Sequence, residues 1–159
     1  NLAVEKAGWG KALPAGRAMG VAVVNCFGSF NAQIAEVSIV QGKVRVHRVV
    51  SAVDCGQAIN PAGIEQQMQS AIVYGLSAAL RGNITFEKGR VQQTNFHQYE
   101  PLRIDEMPVV ETYIVPSTSN PGGMGEAGTP AIAPAVANAI FKATGKRIRR
   151  MPFSLESFV

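Results

Sequence analysis

Residues 19–53 read MGVAVVNCFGSFNAQIAEVSIVQGKVRVHRVVSAV. Met19 to Asn25 is apolar and rich in valine, as expected of a covered strand. Ala32 to Val40 and Lys43 to Val53 are two further β-branched segments, separated by Gln41-Gly42. In the second of them Val44 and Val46 alternate with Arg45 and His47, which marks a hairpin and points His47 at solvent. Three strands in close succession therefore open the fold. Upstream lies a glycine- and proline-rich entry (Gly8, Gly10, Pro14, Gly16), with Trp9 as a packing or interface anchor. Downstream, Asn60-Pro61 supplies an N-cap followed by proline at the first helical position. Ile64, Met68, Ile72, Leu76 and Leu80 recur every four residues, so a helix is expected to about Arg81, capped by Gly82. Ile84–Phe86 and Arg90–Gln93 flank Lys88-Gly89 as a second hairpin, and Val109–Val115 is another strand. After a loop from Pro116 to Gly128, Thr129-Pro130 starts a second helix whose apolar face is Ala133, Val136, Ala137, Ile140 and Phe141, ending at Gly145. Strands in runs with helices inserted late predict an α+β fold, with helices packed on a mixed or mostly antiparallel sheet in one domain over residues 1–159.

The composition bears on what surrounds this domain. Charged residues make up 16% of the 159, against about 25% in ordinary soluble domains. Such a surface is apolar enough that part of it is expected to be covered, by more of a longer polypeptide or by a partner. The chain starts at Asn1 and is expected to be a fragment. The uncharged run Ala127 to Phe141 contains Pro130 and Pro134 and is shorter than the ~20 residues a membrane-spanning helix needs. Cys26 and Cys55 form no CxxC pair, so neither a zinc site nor an iron–sulfur cluster is expected within the chain.

Residues 123–128, GMGEAG, spell G-x-G-x-x-G ahead of a helix. The context is wrong for a dinucleotide. The motif does not leave a strand directly, no Asp or Glu lies between Glu126 and Glu156 to meet a ribose, and a carboxylate inside the turn repels a pyrophosphate. What remains is a carboxylate flanked by glycines near a helix start. Two readings stay open. Either Glu126 supports the first helical turn electrostatically, or it is a general base in a tight pocket, where desolvation raises its pKa and glycines with φ > 0 let a bulky ligand approach. On the first helix, Gln67, Ala71, Gly75 and Ala78 share a face, so a stripe of small residues beside an amide is either ordinary helix packing or an approach for a cofactor.

The run GGMGEAGTPAIAPAVANAIF at 122–141 resembles the C-terminal signature of the molybdenum-binding large subunit of the xanthine oxidase and aldehyde oxidase family. VDCGQAINP at 53–61 and TGKRIRRMP at 144–152 resemble the same family, in its isoquinoline 1-oxidoreductase beta-subunit branch, and the likeness runs from Lys6 to Pro152. The resemblance implies hydroxylation of an electron-poor carbon in an N-heterocycle or an aldehyde, with water as the oxygen source and a molybdenum–pterin cofactor. Position by position it implies Glu126 as the general base on Mo–OH, with Gln67 and Gly125 as cofactor contacts and no direct metal ligand. The family's other pterin-gripping segments have no counterpart here, so the isolated chain is expected to be inactive and to need the rest of the large subunit. The resemblance also implies a small subunit carrying the iron–sulfur clusters. The rival reading is a scaffold contributing only packing and subunit contacts.

Other residues carry blander readings. The cations Lys146, Arg147, Arg149 and Arg150 follow a helix C-terminus and lack interleaved aromatics, so nucleic acid is not an expected partner. His97, Tyr99 and Arg103 are left as structural groups, and Cys55 as a structural thiol.

Overall fold

A computed structural model describes residues 1–153. A short helix α1 (Leu2–Ala7) leads into β1 (Arg17–Cys26), β2 (Ser29–Val40) and β3 (Lys43–Asp54), three antiparallel strands joined by tight turns. Helix α2 (Pro61–Leu80), a small ribbon of β4 (Phe86–Glu87) and β5 (Arg90–Val91), and two 3₁₀ turns follow. The chain then returns as β6 (Val109–Ile114), parallel to β3, and closes with α3 (Thr129–Thr144). The main sheet has the order β1-β2-β3-β6 and is mixed, as the α+β expectation required.

Local chemistry accounts for the ends of the helices. Asn60 accepts the Gly63 N–H at the start of α2, with Pro61 behind it. Gly145 closes α3 in the left-handed conformation, where a residue without Cβ carries no strain. Gly82 does not cap α2 in this way. Arg81 is the capping residue, and Gly82 instead packs closely on Ala78, near the Tyr99 hydroxyl.

Both long helices lie on one face of the sheet. Ala35, Val37, Val49 and Val53 from the strands meet Met68, Ile72 and Leu76 of α2 and Ile132, Val136 and Ile140 of α3. The buried side of α3 is Ala131, Ile132, Ala135, Val136, Ala139 and Ile140. Ala133, Ala137 and Phe141, expected on that face, are only half-buried. The helix is turned because its ridge of alanines fits against glycines: a Cβ on Gly20 of β1 would lie 2.1 Å from the Ala139 nitrogen, and one on Gly75 of α2 would lie 2.3 Å from the Ile132 Cγ2. The small-residue stripe of α2 is used the same way. Ala71 and Gly75 are buried under the first turn of α3, where the Thr129 hydroxyl donates to the Ala71 carbonyl, while Gln67 and Ala78 at the two ends of the stripe are open.

The opposite face is thinly covered. Helix α1 sits over Ile34, Val50 and Ala52, held by Arg48, which donates to the Ala7 and Lys6 carbonyls while paired with Glu111. Further along, Val23 of β1 is 70% exposed, so this edge strand is less covered than its valines predict. His47 departs from expectation too. The β2–β3 register shifts between Glu36 and Val37, leaving His47 as the extra residue of a bulge, and its Nε2 lies 2.7 Å from the Ser38 hydroxyl instead of in open solvent.

Candidate functional site

The Gly-rich loop and the start of α2 meet at a cleft of about 290 Å³, lined by residues that include Cys55, Asn60, Gln67, Met124 and Gly125. Two of the three predicted site residues, Gln67 and Gly125, thus face one space although 58 positions separate them in sequence. Glu126 follows Gly125 directly. Its side chain is exposed and makes no hydrogen bond or ion pair among the described residues, and its carbonyl accepts the Thr129 N–H that begins α3. The predicted shielding of this carboxylate is therefore not supplied by the described residues. Gln67 is likewise exposed, with an amide that has no partner among them.

The glycines of the loop divide into two kinds. A Cβ on Gly122 would sit 2.4 Å from the Ser29 hydroxyl, one on Gly123 2.9 Å from Phe27 Cβ, and one on Gly128 2.9 Å from Met68 Cε. These three are required by close packing. None of the four loop glycines has positive φ, so the expected left-handed freedom is not what selects them. Gly125 differs, because a side chain there would meet nothing within 4 Å. Its bare backbone borders the cleft and leaves room for a flat group to come close.

Beneath the loop lies a group of polar residues that the sequence reading did not single out. Ser29, Asn31 and Gln33 alternate along β2 and point to the same side as Ala35 and Val37. All three are buried, and each donates to a loop carbonyl: Ser29 to Gly123 (3.0 Å), Asn31 to Ala127 (3.1 Å) and Gln33 to Gly128 (2.7 Å). The Ser51 hydroxyl donates to Asn31 Oδ1 in turn. The visible signal was a period of two in polar residues within an otherwise apolar strand. Close by, the Cys55 carbonyl accepts the Gly122 N–H, and burial pushes the Cys55 thiol pKa up, in keeping with a structural thiol.

Three larger depressions lie elsewhere, about 420 Å³ beside the start of β3, about 770 Å³ between β1 and the end of α3, and about 630 Å³ beside the end of β6; none is lined by Gln67, Gly125 or Glu126. Among the described residues no group of three or more His, Cys, Asp or Glu could hold a metal ion, and no helix is long and apolar enough to cross a membrane.

Residues 14–108 match the molybdopterin cofactor-binding domain family. The chain belongs to this family. Among its relatives, the membrane-bound aldehyde dehydrogenase (pyrroloquinoline-quinone) of Gluconacetobacter polyoxogenes is 36% identical over 156 residues, which cover 94% of this chain and 20% of that protein. The isoquinoline 1-oxidoreductase subunit beta of Brevundimonas diminuta is 35% identical over 127 residues, covering 77% of this chain and 16% of its own length. In three dimensions, quinoline 2-oxidoreductase from Pseudomonas putida 86 superposes with a TM-score of 0.74 at 21% identity, over 82% of this chain and 18% of that one. That likeness establishes the shared fold. The chain spans a fifth or less of the length of these relatives.

Proposed function

We propose that the chain forms one portion of the molybdopterin-binding subunit of a molybdenum hydroxylase, acting on an aldehyde or on a ring carbon of an N-heteroaromatic compound, with Glu126 as general base. The observation that carries this reading is the convergence of Gln67 and Gly125 on one cleft, with the unpaired Glu126 next in the chain. A large planar group fits there: the space beside Gly125 is open, and Gln67 offers an unengaged amide as donor and acceptor. Names among the relatives, an aldehyde dehydrogenase and an isoquinoline oxidoreductase, support the two substrate classes.

When bound, the molybdenum–pterin cofactor supplies the oxygen-transfer chemistry and takes two electrons from the substrate carbon. The chain's own residues do the rest of what is assigned to them here. Gln67 holds the cofactor by its amide, and the bare Gly125 backbone borders it. Glu126 takes up a proton at a carboxylate oxygen, for which an anion free of ion pairs is suited. Its exposure in this chain means that the shielding which raises a carboxyl pKa comes from the rest of the subunit, the cofactor and the substrate. Without these the chain is inactive. The family resemblance assigns the exit of the electrons to iron–sulfur clusters in a separate small subunit, and Cys26 and Cys55 by themselves are too few to hold a four-thiolate cluster.

The test is stopped-flow reduction of the molybdenum centre by an aromatic N-heterocycle in the complete enzyme, comparing wild type with Glu126→Gln. A general base contributes about 10²–10⁴ in rate, so a fall of that size at unchanged molybdenum content is expected. An unchanged rate removes the base assignment and leaves the chain as a scaffold.

A further inference from the structure

The buried polar ladder of β2 has no role in the function described so far, and its composition is costly. On the same side of the strand, Ala35 and Val37 show what plain core filling uses. Ser29, Asn31 and Gln33, each exposed by 1% or less, instead bring hydroxyl and amide groups into that core, which is unfavourable unless every group is bonded. The accounting is incomplete: Gln33 Oε1 is buried without a partner. An orphaned acceptor of this kind costs about 1–3 kcal/mol. An apolar residue would avoid that cost but would take the Gln33 donor away from the Gly128 carbonyl, so the ladder is better explained as a hold on the loop than as core filling.

Its geometry suggests what it does. The three donors take hold of carbonyls at both ends of one loop, Gly123 on one side and Ala127 with Gly128 on the other. Backbone bonds tighten the first end, where Gly122 N–H donates to the Cys55 carbonyl and Gly123 N–H to the Phe27 carbonyl. Between the two clamped ends lie only Met124, Gly125 and Glu126. We propose that Ser29, Asn31 and Gln33 are positioning residues that fix the carbonyls of residues 123–128 and thereby hold Gly125 and Glu126 in register with the cleft. This rests on the reading of Glu126 as the base. The ladder touches neither cofactor nor substrate and acts through the loop alone.

The variant that separates aiming from folding is Gln33→Met, which keeps the side-chain length, deletes the donor and also deletes the orphaned oxygen. It is made in the complete molybdenum enzyme beside Ser29→Ala, a smaller change at the other end of the loop, and Glu126→Gln. Misplacing a reacting group by about 1 Å costs about 10²-fold in rate, and lost outer-shell support about 10–100-fold. The expected result for Gln33→Met is a roughly 10–100-fold fall in kcat per bound molybdenum, with KM within about twofold. Amide exchange at the bonded N–H groups that flank the segment, those of Gly122, Gly123 and Thr129, should quicken by about tenfold or more while the paired amides of β2 and β3 stay protected. Ser29→Ala shifts the same readouts in the same direction, and serves as the test if Gln33→Met fails to fold. Unchanged loop exchange overturns the proposal, as does faster exchange with kcat per molybdenum intact, or a loss confined to molybdenum content. The Glu126→Gln arm keeps the two ideas apart: normal turnover there removes the base, whereas normal turnover in the ladder variants removes only the positioning role.

Discussion

His47 is the residue that the β-bulge sets apart, and its environment makes it sensitive to acid. Burial, together with the nearby Arg17 and Arg45 guanidinium groups, outweighs the Glu36 carboxylate and holds its pKa below the ordinary 6.5. A base with a lowered pKa in the folded state is protonated more readily in the unfolded chain. Its contribution to stability is therefore full above about pH 6.5 and is lost as the pH falls through the region below it. Protonation also removes the ring nitrogen's capacity to accept a hydrogen bond from Ser38. His47→Gln keeps a polar partner for Ser38 without a titrating group. Urea midpoints at about pH 7 and about pH 5 should show wild type losing more stability than the variant between the two; equal losses would show that His47 does not titrate against folding. The sequence carried a trace of this bulge. Apolar residues fall on even numbers at Val44 and Val46 and next at Val49, so the period of two slips between them, with His47 and Arg48 in the gap. Reading the alternation straight through placed His47 outside; the slip in phase could have placed it correctly.

At the scale of elements, the contact between β1 and α3 is closest. Asn138 donates to the Val21 carbonyl at 2.9 Å, and the hypothetical Cβ of Gly20 would lie 2.2 Å from the Ala135 carbonyl oxygen as well as against the Ala139 nitrogen. The obstructing atoms are helix backbone, so no side chain can swing aside. Gly20→Ala is expected to force α3 off the sheet and to cost at least the upper end of the about 1–3 kcal/mol typical of overpacking. A denaturant titration in which it costs under about 1 kcal/mol would mean that α3 is not rigidly docked. The same contact explains an error of rotation. Helix α3 was legible as a helix from Thr129-Pro130 to Gly145, but nine of its 16 residues are Ala, Val or Ile, so several overlapping stripes could serve as its apolar face. The choice between them is made by Gly20 and Gly75, which lie far away in the chain. The site divides in the same manner. Gln67 and Gly125, singled out through the family resemblance, do meet at one cleft, whereas the Ser29–Asn31–Gln33 ladder was masked by a strand read for its apolar residues, and its partners are carbonyls that sequence patterns do not register.

At the scale of the whole molecule, the two faces of the sheet are unequally served. Among the described residues, one carries α2 and α3, while the other has only the six residues of α1. By strand alternation Val23 and Phe30 lie on that second face, with Ala32 and Ile34, beyond the reach of α1, and they are 70% and 54% exposed. The low charge of the sequence anticipated apolar surface of this kind but could not say where it lies. An uncovered apolar sheet face next to the edge strand β1 favours association, both by hydrophobic burial and by strand pairing. The 159-residue chain on its own is therefore expected to self-associate in a concentration-dependent manner. Replacing Val23 and Phe30 together by Thr keeps strand propensity while making the patch polar, and should shift sedimentation velocity profiles towards the monomer. Because both side chains are more exposed than buried, the unfolding midpoint should move little. Association that persists undiminished in the double variant would point instead to other exposed apolar residues, such as Ile59 or Tyr74 on the α2 side, as the adhesive surface.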